Sequence, residues 1–157
     1  MQRSISAFVQ DEVSDWVACL DCGHRQHVRH HPPLVSRPWV TSAEGRNAKL
    51  GARLECIRCN RFEMPDGFAG YKRTPVLTEL TVPSGLRRDH STASGVWAKI
   101  QVLEGQLRYR VDELRLDVVL TATQRGIVVP EVRHSVEPEG AVRFFVEFYR
   151  APPNRPI

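Results

Sequence analysis

The sequence predicts a mainly β protein of two domains: a small, metal-clamped first half with one short helix, and a second half built as a β-barrel. Three observations carry this. All four cysteines fall between Cys19 and Cys59, as two Cys-x2-Cys pairs. Residues 64–70, MPDGFAG, gather Pro, Gly and Asp where few regular elements continue. Beyond them, short runs of Val, Ile, Leu and aromatics alternate with turn residues, and no helical period of useful length appears. The domains are expected at 1–66 and 67–157.

In the first half, SISAFVQ and DWVACL read as two strands joined by the acidic turn DEVSD. Thr41-Ser-Ala-Glu44 reads as a capping box that opens a short helix over SAEGRNAKL, with Gly51 as its stop. LECIRC returns as a strand or knuckle carrying the second cysteine pair. In the second half, VWAKIQVLEG, QLRYRVDE, LDVVLTAT, GIVVP and AVRFFVEFYR are strand candidates. Glu104-Gly105, Gln124-Arg125-Gly126, Pro130 and Pro138-Glu139-Gly140 separate them. The tail APPNRPI is expected to be extended.

Composition bounds the function. Charged residues make up 25% and hydrophobic residues 41% of the 157, as in ordinary globular chains. No run is long and apolar enough for a transmembrane helix, which argues against a membrane partner. The N-terminus lacks a secretory leader pattern, so the expected compartment is the cytoplasm, where paired cysteines more often bind metal than each other. The net charge of +4 is thinly spread. Residues 1–70 carry nine basic and eight acidic side chains, with no basic run, which argues against a nucleic-acid partner.

Cys19, Cys22, Cys56 and Cys59 are the expected ligands of one Zn2+, as in a zinc ribbon. Each Cys-x2-Cys turn places two sulfurs on one side of a tetrahedron. Disulfides are the bland alternative, and the compartment disfavours them. Histidines complicate the set: CLDCGHRQHVRHHPP holds four of the chain's six. A Cys3His site with His24 or His27 in place of one cysteine stays open, while His30 and His31 are surplus to any zinc site.

CGHRQHVRHHPP, RPWV, EGR, KLG and LECIRC resemble a small uncharacterised bacterial domain with a CGHxQHVRH signature and a terminal Cys-x2-Cys, over residues 5–60. That pattern includes Cys22 and does not require Cys19, which favours the Cys3His alternative. No activity follows from it.

GIVVPEVRHSVEPEG and VLEGQLRYRV resemble the two half-motifs of the cupin barrel, a double-stranded β-helix. Over residues 71–150 the chain is similar to the TehB-like cupin domain, associated with tellurite resistance. The resemblance implies a cupin barrel and a divalent metal (Zn, Fe, Ni or Mn) or small-molecule ligand held near His90 and His134. The carboxylate would be Glu147 or Glu137. Glu147 sits in the otherwise apolar FFVEFY, where a carboxylate is costly unless paired or metal-bound. The first half-motif lacks the histidines a full cupin metal site uses. A homodimer through the barrel sheets is a further implication.

The leading expectation is thus a two-module metal-binding protein, with structural zinc in the first module and a metal- or ligand-binding cupin in the second, in tellurite or oxidative stress. A small cupin metalloenzyme of dioxygenase or isomerase type is one alternative. A zinc-module nucleic-acid-binding protein is the other.

Overall fold

The computed structural model describes residues 1–28 and 37–153. These divide into two compact units, one containing Met1–Arg61 and the other Phe62–Pro152. The chain is mainly β, and no helix is long and apolar enough to cross a membrane.

The first unit is an antiparallel sheet. Strand β1 (Gln2–Gln10) pairs with β2 (Trp16–Leu20) on one side and with β4 (Arg53–Glu55) on the other; β3 (Arg25–His27) adds outside β2. The β1–β2 turn falls on the acidic stretch. There the Asp11 carboxylate accepts from the backbone N–H of Val13 (3.0 Å) and Asp15 (2.9 Å), and Ser14 takes a left-handed φ of 65°. Ile5, Val17, Ala18, Leu20, Val28 and Val40 are buried.

A short 3-10 turn, Pro38–Thr41, leads into α1 (Ala43–Asn47). The cap lies one residue beyond its expected place. Ser42 Oγ accepts from Gly45 N at 3.0 Å, because the Thr41 hydroxyl donates back to Pro38 O at 2.8 Å. The helix ends before the expected KL. Gly51 sits at φ 79°, as a stop residue should. The knuckle expected in LECIRC is β4 followed by the one-turn α2 (Ile57–Asn60).

The second unit holds two sheets. In one, β10 (Gly126–Val128), β7 (Trp97–Glu104), β12 (Arg143–Arg150) and β5 (Ala69–Arg73) lie in that order, and the two-residue β6 (Leu77–Thr78) also pairs with β12. In the other, β8 (Leu107–Val111) lies between β11 (Ser135–Pro138) and β9 (Leu116–Leu120). Each of the five expected runs carries a strand. β5 and β6 were not anticipated, since one begins in the Gly/Ala end of the breaker stretch and the other is too short to show a period. The ladders of the described residues form open sheets, so a closed barrel is not seen in the pairing.

The core follows the two-residue strand period. Ala98, Ile100 and Val102 of β7, Leu107, Tyr109 and Val111 of β8, and Phe144 and Val146 of β12 are buried, while most alternate positions are not. The β7–β8 turn needs glycine. Gly105 has φ +78°, and a Cβ there would stand 2.1 Å from the Ala141 carbonyl oxygen. Gly105→Ala is therefore expected to destabilise the protein by about 2 kcal/mol or more, read as a lower urea midpoint at unchanged slope.

Candidate metal centre

The site is built by the register of β1. Ile5 lies opposite Leu20, the last residue of β2, and Gln2 lies opposite Glu55, the last of β4. The chain therefore leaves both neighbours at the same end of β1, and both knuckles form there.

The first knuckle is the turn after Leu20. Gly23 takes φ 85° and donates to Leu20 O at 2.7 Å, while Leu20 N donates to His24 O at 2.9 Å. Asp21 ties the turn to β1: its N–H donates to Ser4 O and its carboxylate accepts from Ser4 N, both at 2.9 Å. Cys22 and His24 ride on this turn. In the second knuckle, Cys56 N donates to Met1 O at 2.8 Å and the residue sits at the start of α2, with Cys59 one turn on. The N-terminal ammonium donates to the Asn60 side chain, closing the knuckle against β1.

The result is a buried group of Cys22, His24, Cys56 and Cys59 whose ligand atoms all lie within 4.8 Å of one another. His24 Nδ1 is 3.5 Å from Cys22 Sγ, 3.3 Å from Cys56 Sγ and 3.6 Å from Cys59 Sγ; Cys22 and Cys56 Sγ are 4.0 Å apart. Tetrahedral Zn2+, with Zn–S ~2.3 Å and Zn–N ~2.0 Å, would separate its ligands by ~3.8 Å (S···S) and ~3.5 Å (S···N). The donor set and its spacing fit the ion. The thiols form no disulfide. Hydrogen bonds from Cys22 and Cys59 push the Cys56 thiol far down, and the same contact with Cys56 pushes Cys22 up. The Cys59 thiol is pushed up to about 11: the Cys22 contact lowers it, the Cys56 contact and burial raise it by more, and the buried Arg3 guanidinium acts the other way, toward the thiolate. A cation here suits three thiolates around one Zn2+, which together carry about −1.

Cys19, favoured by spacing, stands outside the group. It is a buried residue inside β2, paired with Ala7 of β1 and Arg25 of β3, and the knuckle begins only after Leu20. His27 is also excluded: on β3, its Nε2 meets the Asp11 carboxylate at 2.7 Å and holds that carboxyl below its ordinary range. His30 and His31 lie outside the described residues.

In the second unit, His90 and His134 do come together. Their backbones form a two-bond bridge (His90 N to His134 O 3.1 Å, His134 N to His90 O 2.9 Å), and their rings are 4.0 Å apart between centroids. The Tyr109 ring meets His134 edge-on at 5.8 Å. The expected carboxylates do not join them. Val146 and Phe148 line the cavity beside the pair, so Glu147 points to the opposite face of β12. There Tyr149 donates to its carboxylate, and Arg73 and Lys99 are its cross-strand neighbours. Likewise Val136 lines the cavity, and Glu137 turns away to accept from Arg110 at 2.9 Å. Strand alternation thus keeps both carboxylates away from the histidine pair, and the Tyr149 hydroxyl partners Glu147. Sequence reasoning missed Arg3, Tyr109 and the cavity threonines, Thr74 and Thr92, for which no spacing signal exists.

With this geometry in place, comparison with known proteins finds a family match in each half. Residues 72–146 match the TehB-like domain. Residues 6–63 match DUF3565, a family described as a protein of unknown function. No curated protein matches the chain. Among solved structures, TehB from Haemophilus influenzae is 26% identical, with a TM-score of 0.51 over 55% of this chain and 32% of its own. The chain thus spans about a third of TehB's length. A protein from E. coli strain K12 is 23% identical, with a TM-score of 0.52 over 57% of this chain and 97% of its own, and that likeness shows fold alone.

The TehB-like half holds its histidines neutral. Burial pushes His134 from its ordinary 6.5 down to about 4, and burial lowers His90 as well. The unfolded chain therefore takes up protons first as pH falls. Stability is full above pH 6.5 and is lost as pH drops through about 4. For His134 the loss is about 3 kcal/mol. In His134→Gln the wild-type acid loss over that interval is expected to shrink by most of this amount, read by urea unfolding of zinc-saturated protein across a pH series.

Proposed function

We propose that the chain is a zinc-binding protein in which Zn2+, held by Cys22, His24, Cys56 and Cys59, clamps the first unit, while the TehB-like half serves as a cupin-type ligand-binding module. The observation that carries the reading is the match between the Cys3His spacing and a tetrahedral zinc shell. Four protein ligands leave no coordination position for substrate, so the zinc is structural. When bound, it ties the two knuckles together and replaces the thiol protons. Cys22 and His24 orient the first knuckle, Cys56 and Cys59 the second, and Arg3 balances the charge.

Metal analysis of reduced, untagged protein is expected to find one zinc per chain. Cys19→Ser should keep it, whereas Cys56→Ser should lose it and His24→Ala should weaken zinc at least tenfold against a competing chelator. Retention in Cys56→Ser, or loss in Cys19→Ser, would overturn this ligand set.

The TehB-like half motivates a role in tellurite or oxidative stress. Deleting the gene should then raise sensitivity to tellurite or peroxide, and restoring wild-type protein should reverse this. Unchanged sensitivity removes that part of the proposal and leaves the zinc reading intact.

A further inference from the structure

The ligands of the metal centre come from two knuckles, and a sulfur of one stands close to a sulfur of the other. Cys22 Sγ and Cys56 Sγ are 4.0 Å apart although 34 positions separate them in the chain. A disulfide needs ~2.05 Å, so the two sulfurs would close by about 2 Å. Cys22 rides on the turn at Gly23, whereas Cys56 and Cys59 belong to one turn of α2. Closure between knuckles therefore falls to the Cys22 turn, and a Cys56–Cys59 bond would have to form inside α2.

An open cleft of ≈ 340 Å³ adjoins the site, with Leu20, Arg25, Gln26, Ile57 and Arg58 among its walls. Of the four ligands, His24 and Cys56 line it, and Cys22 and Cys59 do not. Cys56 keeps 4% exposure, against 0% for Cys22 and for Cys59. The cysteine nearest to solvent thus has a second cysteine behind it, the arrangement in which a peroxide-oxidised sulfur is resolved to a disulfide.

We propose that Cys56 is an oxidation site for hydrogen peroxide, resolved by Cys22, and that the disulfide releases the zinc while still joining the two knuckles. The inference rests on the zinc reading of this site. First, the Cys56 sulfur, deprotonated as a zinc ligand, attacks a peroxide oxygen. The O–O bond breaks and hydroxide leaves, giving the Cys56 sulfenic acid. Then the Cys22 thiolate attacks that sulfur: the S–S bond forms, the S–O bond breaks and a second hydroxide leaves. The two sulfurs lose the two electrons that the peroxide gains, and zinc is neither oxidised nor reduced. His24 and Cys59, left as two ligands, release Zn2+. The disulfide spans the same two knuckles that the metal clamps, so the first unit stays closed. Cys19, held inside β2, takes no part.

The test treats zinc-loaded, full-length protein, freed of reductant, with one equivalent of hydrogen peroxide. A chromogenic chelator that leaves the untreated protein intact follows zinc, and peptide mapping by mass spectrometry locates the disulfide. The expected result is zinc release in step with a Cys22–Cys56 bond, with free thiols falling from four to two. Dithiothreitol and fresh Zn2+ should restore the starting state, and Cys19→Ser should behave as wild type. With excess dimedone present during oxidation, capture at Cys56 should exceed capture at Cys22 or Cys59 by about fivefold or more. A disulfide at any other pair, zinc release without a disulfide, or capture mainly at Cys22 or Cys59 would overturn the proposal. A chain that carries no zinc before peroxide is added counts against the zinc reading; a zinc-loaded chain that forms its disulfide elsewhere counts against this inference alone.

Discussion

The register of β1 between β2 and β4 is the constraint on which the first unit depends. Ile5 opposite Leu20 and Gln2 opposite Glu55 make both neighbours end at one end of β1. A slip of one residue would turn every side chain of a strand to the other face and pull the knuckles out of register. The unit is small, and a sheet of this size buries little apolar surface for the chain entropy it must offset. A metal clamp at the point where the strands end would supply what the core lacks. The same geometry ties Met1 to the second knuckle, because its carbonyl accepts from Cys56 N.

In the second unit the organising interaction is the long β7–β12 pairing, which runs from Trp97↔Tyr149 to Glu104↔Arg143. Its two faces have different jobs. One face contributes Ala98, Ile100, Val146 and Phe148 to the cavity wall. The other carries a row of cation–aromatic and ionic contacts, with Lys99 4.5 Å from the Tyr149 ring centroid and Arg73 4.9 Å from that of Phe145. The His90–His134 bridge lies outside the named strands, so two short segments locked to each other through backbone hydrogen bonds bring both histidines to the cavity lining. Burial keeps the two imidazoles neutral, and that lock holds their backbones together.

Much of the fold was legible. SISAFVQ and DWVACL became β1 and β2, and every strand candidate of the second half carries a strand, because alternation and glycine turns are local signals. β5 and β6 escaped notice because they owe their state to pairing with β12 rather than to their own pattern. The helix cap moved from Thr41 to Ser42 for a similar reason: a competing acceptor, Pro38 O, claims the threonine hydroxyl. At the metal centre the residue types and the second Cys-x2-Cys pair were readable, and His24 was among the alternatives weighed. Choosing His24 over Cys19 required knowing where β2 ends.

The sequence by itself determined that this is a mainly β chain with its cysteines and most of its histidines concentrated in the first half, and with turn-punctuated strands in the second. Those properties follow from composition and from the two-residue strand period. Only the tertiary structure decided which side chains meet. Cys19 and Cys22 are three residues apart, yet strand pairing holds the first while the turn releases the second. Glu147 and Val146 are adjacent, yet the pleat sends one to the Tyr149 hydroxyl and the other to the cavity. Proximity along the chain does not give proximity in space, because strand alternation and register, which are set by partners distant in sequence, determine the face on which each side chain lies.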